Sequence, residues 1–321
     1  MREQLLSIAS TVIGVFLVMA MGAIARYLKW FTSDVDRSLA GFTANVLMPS
    51  LFFHRIMTDR DLSMHLDAWI PVVYGFLCTS AGFLVAAVAA SVFGRWFGLT
   101  TESQRRTFSL CAGIDNYGYL PLPLAEAFFP ACVVTLMIHN VGVDIALWSV
   151  GLFIISGASI RKSWRRVVFS PPLMSVAVAV FLRQLGIETW VPAPMLQMCD
   201  QLGRCSVPMS LVLGGAIIYD YAGQFDPSRA WKPLLLAILI RIILLPIAIL
   251  VVAKWTTEHV ELKQVLMLQA SMPAATFPIV MTRLYNQDVE TAWIVVVGTS
   301  ILGLVTIPLW MVIASHFLGV Q

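Results

Sequence analysis

The chain has 321 residues, 59% of them hydrophobic and 12% charged, with a net charge of +3. Its mean hydropathy is +0.82, whereas a soluble domain carries about 25% charged residues. Half that charge cannot cover a water-exposed surface, which excludes soluble-enzyme, disordered and collagen-like readings; the scattered basic residues form no stripe for nucleic acid. The apolar stretches are continuous, not alternating, so an outer-membrane barrel is also disfavoured. What remains is an all-α polytopic membrane protein.

A helix crosses a bilayer with about 20 apolar residues. In chain order such stretches predict ten spans: 5–27, 38–57, 69–93, 106–128, 131–156, 170–186, 193–219, 231–253, 263–285 and 290–316. The first is longer than the apolar region of a signal peptide and no cleavage site follows it, so it reads as a transmembrane helix. The third and tenth are free of charge; the sixth is short and the seventh polar. Cys78, Cys111, Cys132, Cys199 and Cys205 all fall in apolar segments without metal-ligand spacing, and read as small buried residues. No metal or cofactor is expected. Trp30, Trp69, Trp96, Trp190, Trp231, Trp255 and Trp293 lie near span ends, as an aromatic belt would.

Basic residues set the orientation. The loops after spans 1, 3, 5, 7 and 9 carry 13 Lys and Arg, and the opposite face with the termini carries 6. This bias places both termini outside the cell membrane and the basic 158–169 loop in the cytoplasm. Five spans lie on each side of that loop, 1–157 and 170–321. Because five is odd, homologous halves would insert with opposite orientation, a 5+5 inverted repeat. Prolines recur in both halves: Pro49 in span 2 and Pro208 in span 7, Pro121 and Pro123 in span 4, Pro273 and Pro278 in span 9. Proline breaks a helix, and broken backbone at membrane depth persists only where it is buried in protein or lines a cavity. Paired interruptions of this kind point to a substrate site.

Span 4 reads Asp115-Asn116-Tyr117-Gly118-Tyr119-Leu120-Pro121-Leu122-Pro123, and span 9 reads Gln269-Ala270-Ser271-Met272-Pro273-Ala274-Ala275-Thr276-Phe277-Pro278. These segments resemble the auxin efflux carrier family. Its fourth-helix Asn-x-Gly-aromatic run with a following proline is matched at Asn116, Gly118, Tyr119 and Pro123. Its ninth-helix Met-Pro-x-Ala run with a later tyrosine is matched at Met272, Pro273, Ala275 and Tyr285. Leu47–Phe53 around Pro49, the Pro171-Pro172 pair, and Pro208, Leu211 and Gly215 complete the order along the whole chain. Asp115 and Phe277 depart from the family pattern.

The resemblance implies a fold shared with bile acid symporters and sodium/proton antiporters. Spans 1, 2, 6 and 7 would form a scaffold, offering the expected face for a homodimer. Spans 3–5 and 8–10 would form a moving transport domain with spans 4 and 9 crossing at their breaks. It also implies export of a small organic anion. Half-helix N-termini at such a crossing favour a carboxylate on physical grounds as well.

The candidate substrate-binding residues are Asn116, Gly118, Tyr119, Pro121, Pro123, Ser271, Pro273 and Thr276. Asn116 either contacts substrate or patches broken backbone, and the two roles are compatible. Hydroxyls in membrane helices commonly bond their own backbone, the competing role for Ser271 and Thr276. Asp115, Asn140 and Asp144 are candidates for ion coupling, with His139 beside them; Asn140 and Asp144 share a helix face. The competing role for Asp115 is an ion pair with Arg241. Asp200 and Arg204, four apart in span 7, read as a structural ion pair, and Glu126 as a solvated group at the outer end of span 4.

The function expected is a secondary transporter of organic anions. The alternative is an ion-coupled symporter or antiporter. No GxxxxGK[ST] run is present for ATP and no HExxH for metalloprotease chemistry. Gly113-Ile114-Asp115 and Tyr219-Asp220 match the two aspartyl-protease motifs only superficially, and in reversed order. An enzyme is not expected, and a sensor built on the same fold is the third reading.

Overall fold

The computed structural model describes residues 2–58, 69–118, 120–156, 171–187, 190–222 and 227–320. The regular elements among them are helices, which we number in chain order. They are α1 (Arg2–Tyr27), α2 (33–58), α3 (Ile70–Val92), α4 (Glu102–Gly113), α5 (Pro121–Phe128), α6 (Pro130–Ser156), α7 (Pro171–Gln184), α8 (193–222), α9 (227–256), α10 (Val260–Ser271), α11 (Phe277–Leu284) and α12 (Val289–Leu318). In hydrocarbon every backbone polar group must find a partner inside the protein, which is why apolar segments of this length become helices.

Helix ends are marked by polar caps. At the start of α4 the Thr101 hydroxyl accepts from the Gln104 N–H at 3.2 Å, and the Gln104 side chain accepts from the Thr101 N–H at 3.1 Å. Asp288 caps α12 by accepting from the Thr291 N–H at 2.7 Å. Gly319, with φ of 68°, takes the left-handed turn that ends α12.

Among the described residues, six segments are long and apolar enough to cross a membrane: Ala9–Tyr27, α3, α6, Ala193–Asp220, Ala230–Thr256 and α12. Ten spans are predicted from sequence, and the difference has a structural cause. The stretches at 106–128 and 263–285 are each divided, into α4 with α5 and α10 with α11, whose parts of 8 to 12 residues are too short to cross alone. The helix α7 has 14 residues, and α2 is polar in its first third.

Where a proline falls inside a helix, the backbone and a neighbour adjust together. Residues Thr43–Leu47 and Ile238–Leu244 are wound as π-helix just before Pro49 and Pro246. Pro246 has no N–H for the Ile242 carbonyl one turn back. That carbonyl accepts instead from the Trp310 indole of α12 at 2.8 Å.

Helix contacts come in corresponding pairs along the chain. The helix α1 lies along α8 and α7 along α2; α3 packs on α6 and α9 on α12; α4 meets α12 and α6 meets α10. Arg26 near the end of α1 and Arg183 near the end of α7 sit 157 positions apart, as do Pro121 and Pro278 near the starts of α5 and α11. Two crossings are backbone-tight. A Cβ on Gly22 would lie 1.9 Å from the Val212 carbonyl oxygen and one on Gly215 1.7 Å from that of Met19, which fixes the α1–α8 approach. Gly75 and Gly142 play the same part between α3 and α6.

Three sequence expectations are corrected. Trp293 is buried among α9, α4 and α12 residues, not in an interfacial belt, whereas Trp30, Trp69, Trp96, Trp190, Trp231 and Trp255 are exposed. Cys205 is exposed while Cys111, Cys132 and Cys199 are buried. Arg26, one of the 13 Lys and Arg counted in the loops, is instead buried: it binds both Asp36 oxygens at 2.5 Å, reaches Asp220 of α8 at 3.2 Å, and donates to the Phe31 carbonyl. It ties together α1, α2 and α8. The 158–169 loop lies outside the described residues.

Candidate functional site

The two helix breaks meet. The helix α4 stops at Gly113 and α5 begins at Pro121; α10 stops at Ser271 and α11 begins at Phe277. Between them the extended chains cross as a short antiparallel bridge pairing Asp115 with Ala274. The Asn116 N–H donates to the Pro273 carbonyl at 2.8 Å, and the Ala275 N–H donates to the Ile114 carbonyl at 3.2 Å. Thr299 of α12 accepts from the Ala274 N–H at 3.2 Å. Backbone groups that left their helices thus find partners in the opposite break, as burial demands.

The prolines determine which carbonyls are left over, and side chains from neighbouring helices answer them. Pro121 cannot donate to Tyr117 one turn back; the Tyr117 carbonyl accepts from the Asn140 amide of α6 at 2.9 Å. Pro273 cannot donate to Gln269; that carbonyl accepts from Arg241 of α9 at 3.4 Å and from the Met272 N–H at 3.2 Å. Asn140 also accepts from the Gln269 side chain at 3.1 Å, so one amide bridges both breaks. The Tyr117 hydroxyl donates to Asp144 at 2.7 Å.

Below the bridge lies a small cavity of about 10 Å³, the room of a single water counted at its centre. Its polar wall is Asp115, His139, Arg241 and Gln269, with Cys78 and Thr79 beside them. Arg241, 1% exposed, has its guanidinium 3.8 Å from an Asp115 oxygen. That is an ion pair at longer than hydrogen-bond distance. The second Asp115 oxygen, Arg241 Nε, Gln269 Oε1 and both His139 ring nitrogens are buried without a hydrogen-bond partner among the described residues.

Most of the residues singled out from sequence are brought to this crossing. Asn116 and Pro273 form the bridge itself. Pro121 opens α5 and is buried, with Pro123 half-buried two residues further. Gly118 is half-buried with open space where a Cβ would project. Thr276 is half-buried at the start of α11, where Phe277 packs edge-on against Trp148 of α6 at 5.8 Å. Ser271 is buried and donates to the Met267 carbonyl at 2.8 Å, the backbone role. Tyr119 lies outside the described residues. Asp115, Asn140 and Asp144 converge here with the partners just given.

Asp200 and Arg204 pair at 2.9 Å on α8, away from the crossing, with Arg204 mostly exposed and His54 of α2 3.6 Å from Asp200. Glu126 is not simply solvated: it pairs with Arg55 and joins α5 to α2. Sequence reading gave no role to Gln269, Thr299 or the Tyr117 hydroxyl. A usable signal was present for two of them, since Tyr117 and Gln269 each stand four residues before a proline.

Comparison with known proteins bears on this arrangement. The family described as membrane transport protein matches the chain over residues 7–160 and 157–311. An uncharacterized transporter of Methanothermobacter thermautotrophicus is 26% identical over 311 residues, covering 94% of this chain and 97% of that protein. The uncharacterized transporter YfdV of Escherichia coli is 20% identical, covering 94% and 95%. An uncharacterized transporter of Methanocaldococcus jannaschii is 21% identical, covering 92% and 95%. With the matches spanning both helix breaks and nearly the whole chain, this multi-pass protein belongs to the membrane transport protein family, that of the auxin efflux carriers.

Proposed function

We propose that the chain is a secondary transporter of small organic anions, working by alternating access about the crossing of α4/α5 with α10/α11. The observation that carries this reading is the pair of helix breaks bonded to each other through backbone at Asp115 and Ala274. Such a crossing costs two sets of helical hydrogen bonds and is retained where a substrate is handled. The helices α5 and α11 start at the crossing, so their positive dipole ends face it. Pro121, Pro123 and Pro278 remove N–H donors from those first turns. An anion there meets a favourable field and few fixed hydrogen bonds, which suits a carboxylate more than a strongly hydrated inorganic anion.

The ten-span, 5+5 inverted arrangement belongs to the same reading, with the paired helix contacts and the 157-residue spacing of Arg26/Arg183 and Pro121/Pro278 in its support. So does the division into α1, α2, α7 and α8 as scaffold and the remaining helices as transport unit. Asn116, Gly118, Tyr119 and Thr276 are the residues proposed to line the substrate path, with Ser271 and the prolines shaping it. Both termini are placed outside the cell membrane.

Counterflow of labelled mono- and dicarboxylates in proteoliposomes tests the function. At least one carboxylate should exchange, and Asn116→Ala should lower its rate by about tenfold, the loss of one charge-assisted contact, while the protein remains folded. Absence of flux for every carboxylate rejects an anion transporter. Full activity in Asn116→Ala removes that residue from the site.

A further inference from the structure

We propose that the Arg241 guanidinium occupies a site built for a small monovalent cation, as a tethered counter-ion, so that this carrier needs no coupling cation. The inference rests on the transporter reading and specifies how its crossing is charged.

The surroundings of the guanidinium are those of a cation site. Asp115 brings a carboxylate from the first break, and Gln269 brings a backbone carbonyl freed by Pro273 from the second. Asp115 Oδ2 and Gln269 Oε1 are further buried oxygens on the same two residues without a hydrogen-bond partner among the described residues. Four oxygens, two from each break, thus belong to two residues that line one small cavity. The half-helices α4 and α10 also end there, at Gly113 and Ser271. Helix C-termini carry negative dipole ends, and unwound carbonyls beside half-helix ends are how membrane carriers hold small cations.

The fit of the arginine is electrostatic, not directional. A guanidinium held for its own geometry grips a carboxylate through two parallel hydrogen bonds near 2.8 Å. Here the closest approach to Asp115 is 3.8 Å, the bond to Gln269 is 3.4 Å, and Nε has no partner among the described residues. Arginine stays charged under all conditions a cell offers, so it neutralises Asp115 without entering or leaving. His139 shares the cavity and Cys78 its rim. Asn140 and Asp144, the other residues considered for ion coupling, are engaged by Gln269 and Tyr117.

The test uses purified protein and no transport substrate. Thermal unfolding is followed by tryptophan fluorescence in NaCl, LiCl, KCl and choline chloride at matched ionic strength. Wild type should unfold at the same temperature in all four. Arg241→Gln should be least stable in choline and gain about 2 °C or more with Na⁺ or Li⁺, the stabilisation expected from ligand binding to the folded state. Arg241→Gln combined with Asp115→Asn should lose that response. A wild type stabilised by Na⁺ over choline overturns the proposal. So does Arg241→Gln that is indifferent to the cation, or that no salt recovers in folded form. A negative carboxylate screen would reject the transporter reading and leave this outcome unchanged.

Discussion

Asn140 links the two breaks at the crossing through its side chain. Its amide donates to the Tyr117 carbonyl and its oxygen accepts from Gln269, so a single residue of α6 satisfies both broken helices. Replacing it with leucine, of similar volume, takes a hydrogen-bond partner from the Tyr117 carbonyl and from the buried Gln269 amide. Each such loss costs about 1–3 kcal/mol, so Asn140→Leu should destabilise the protein by about 2–5 kcal/mol, measurable as a lowered unfolding temperature. Tyr117 offers a contrast. In Tyr117→Phe the Asp144 carboxylate loses its donor inside the helix bundle, whereas in Asp144→Asn the tyrosine keeps an amide oxygen to donate to. Tyr117→Phe is therefore expected to unfold at a lower temperature than Asp144→Asn, and the reverse order would show that the carboxylate charge, not the hydrogen bond, sets the cost.

At the scale of elements, the α1–α8 contact depends on the absence of two side chains. Gly22 and Gly215 each face a carbonyl oxygen of the partner helix at under 2 Å from where a Cβ would sit. Alanine at either position must separate the helices and strip contacts along their length. Overpacking of this sort costs about 1–3 kcal/mol, and more is expected here because the obstructing atom is backbone. Gly14→Ala on the same helix meets nothing within 4 Å and should be neutral; equal unfolding temperatures for Gly14→Ala and Gly215→Ala would contradict the tight crossing. Arg26 acts at the same scale. Loss of its charge in Arg26→Met takes the guanidinium away from Asp36 and Asp220 on two further helices. With both carboxylates part-exposed, about 2 kcal/mol is a reasonable cost, checked by the same unfolding measurement with Arg26→Lys as the milder variant.

For the whole molecule, the charge bias among loops makes a topological prediction. Cysteines placed at Trp96, after α3, and at Glu258, between α9 and α10, should lie on opposite sides of the membrane. In a Cys205→Ser background, which removes the exposed native thiol, a membrane-impermeant maleimide should label Glu258→Cys in intact cells. It should label Trp96→Cys only after permeabilisation. Labelling of both in intact cells would overturn the assigned orientation. The hydrogen bonds from the Tyr74 hydroxyl to Thr256, at 2.7 and 2.9 Å, place the start of α3 beside the end of α9. These are the two ends that the prediction puts on the same face.

Much was legible in the chain itself because lipid imposes a local rule. Continuous apolar runs must be helical, prolines must break them, and charges inside them must be answered; each statement needs only a residue and its near neighbours. Asp115, Asn116, Asn140 and Pro273 were recognisable on those terms. Trp293 was misplaced because a span end resembles an interface in sequence, and only packing shows that α9 covers it. Arg26 was misread because nothing nearby in sequence reveals Asp220, almost two hundred positions away. Gln269 stands four residues before Pro273, so its freed carbonyl was legible, but the groups that answer it, Arg241 and Asn140, lie on other helices. Composition and local pattern thus determined a membrane-spanning helical protein with two paired breaks. Only the tertiary structure decided that the breaks bond to each other at Asp115 and Ala274, and that Arg241 supplies the charge between them. Which distant carbonyl meets which side chain is a property of helix packing, not of spacing along the chain.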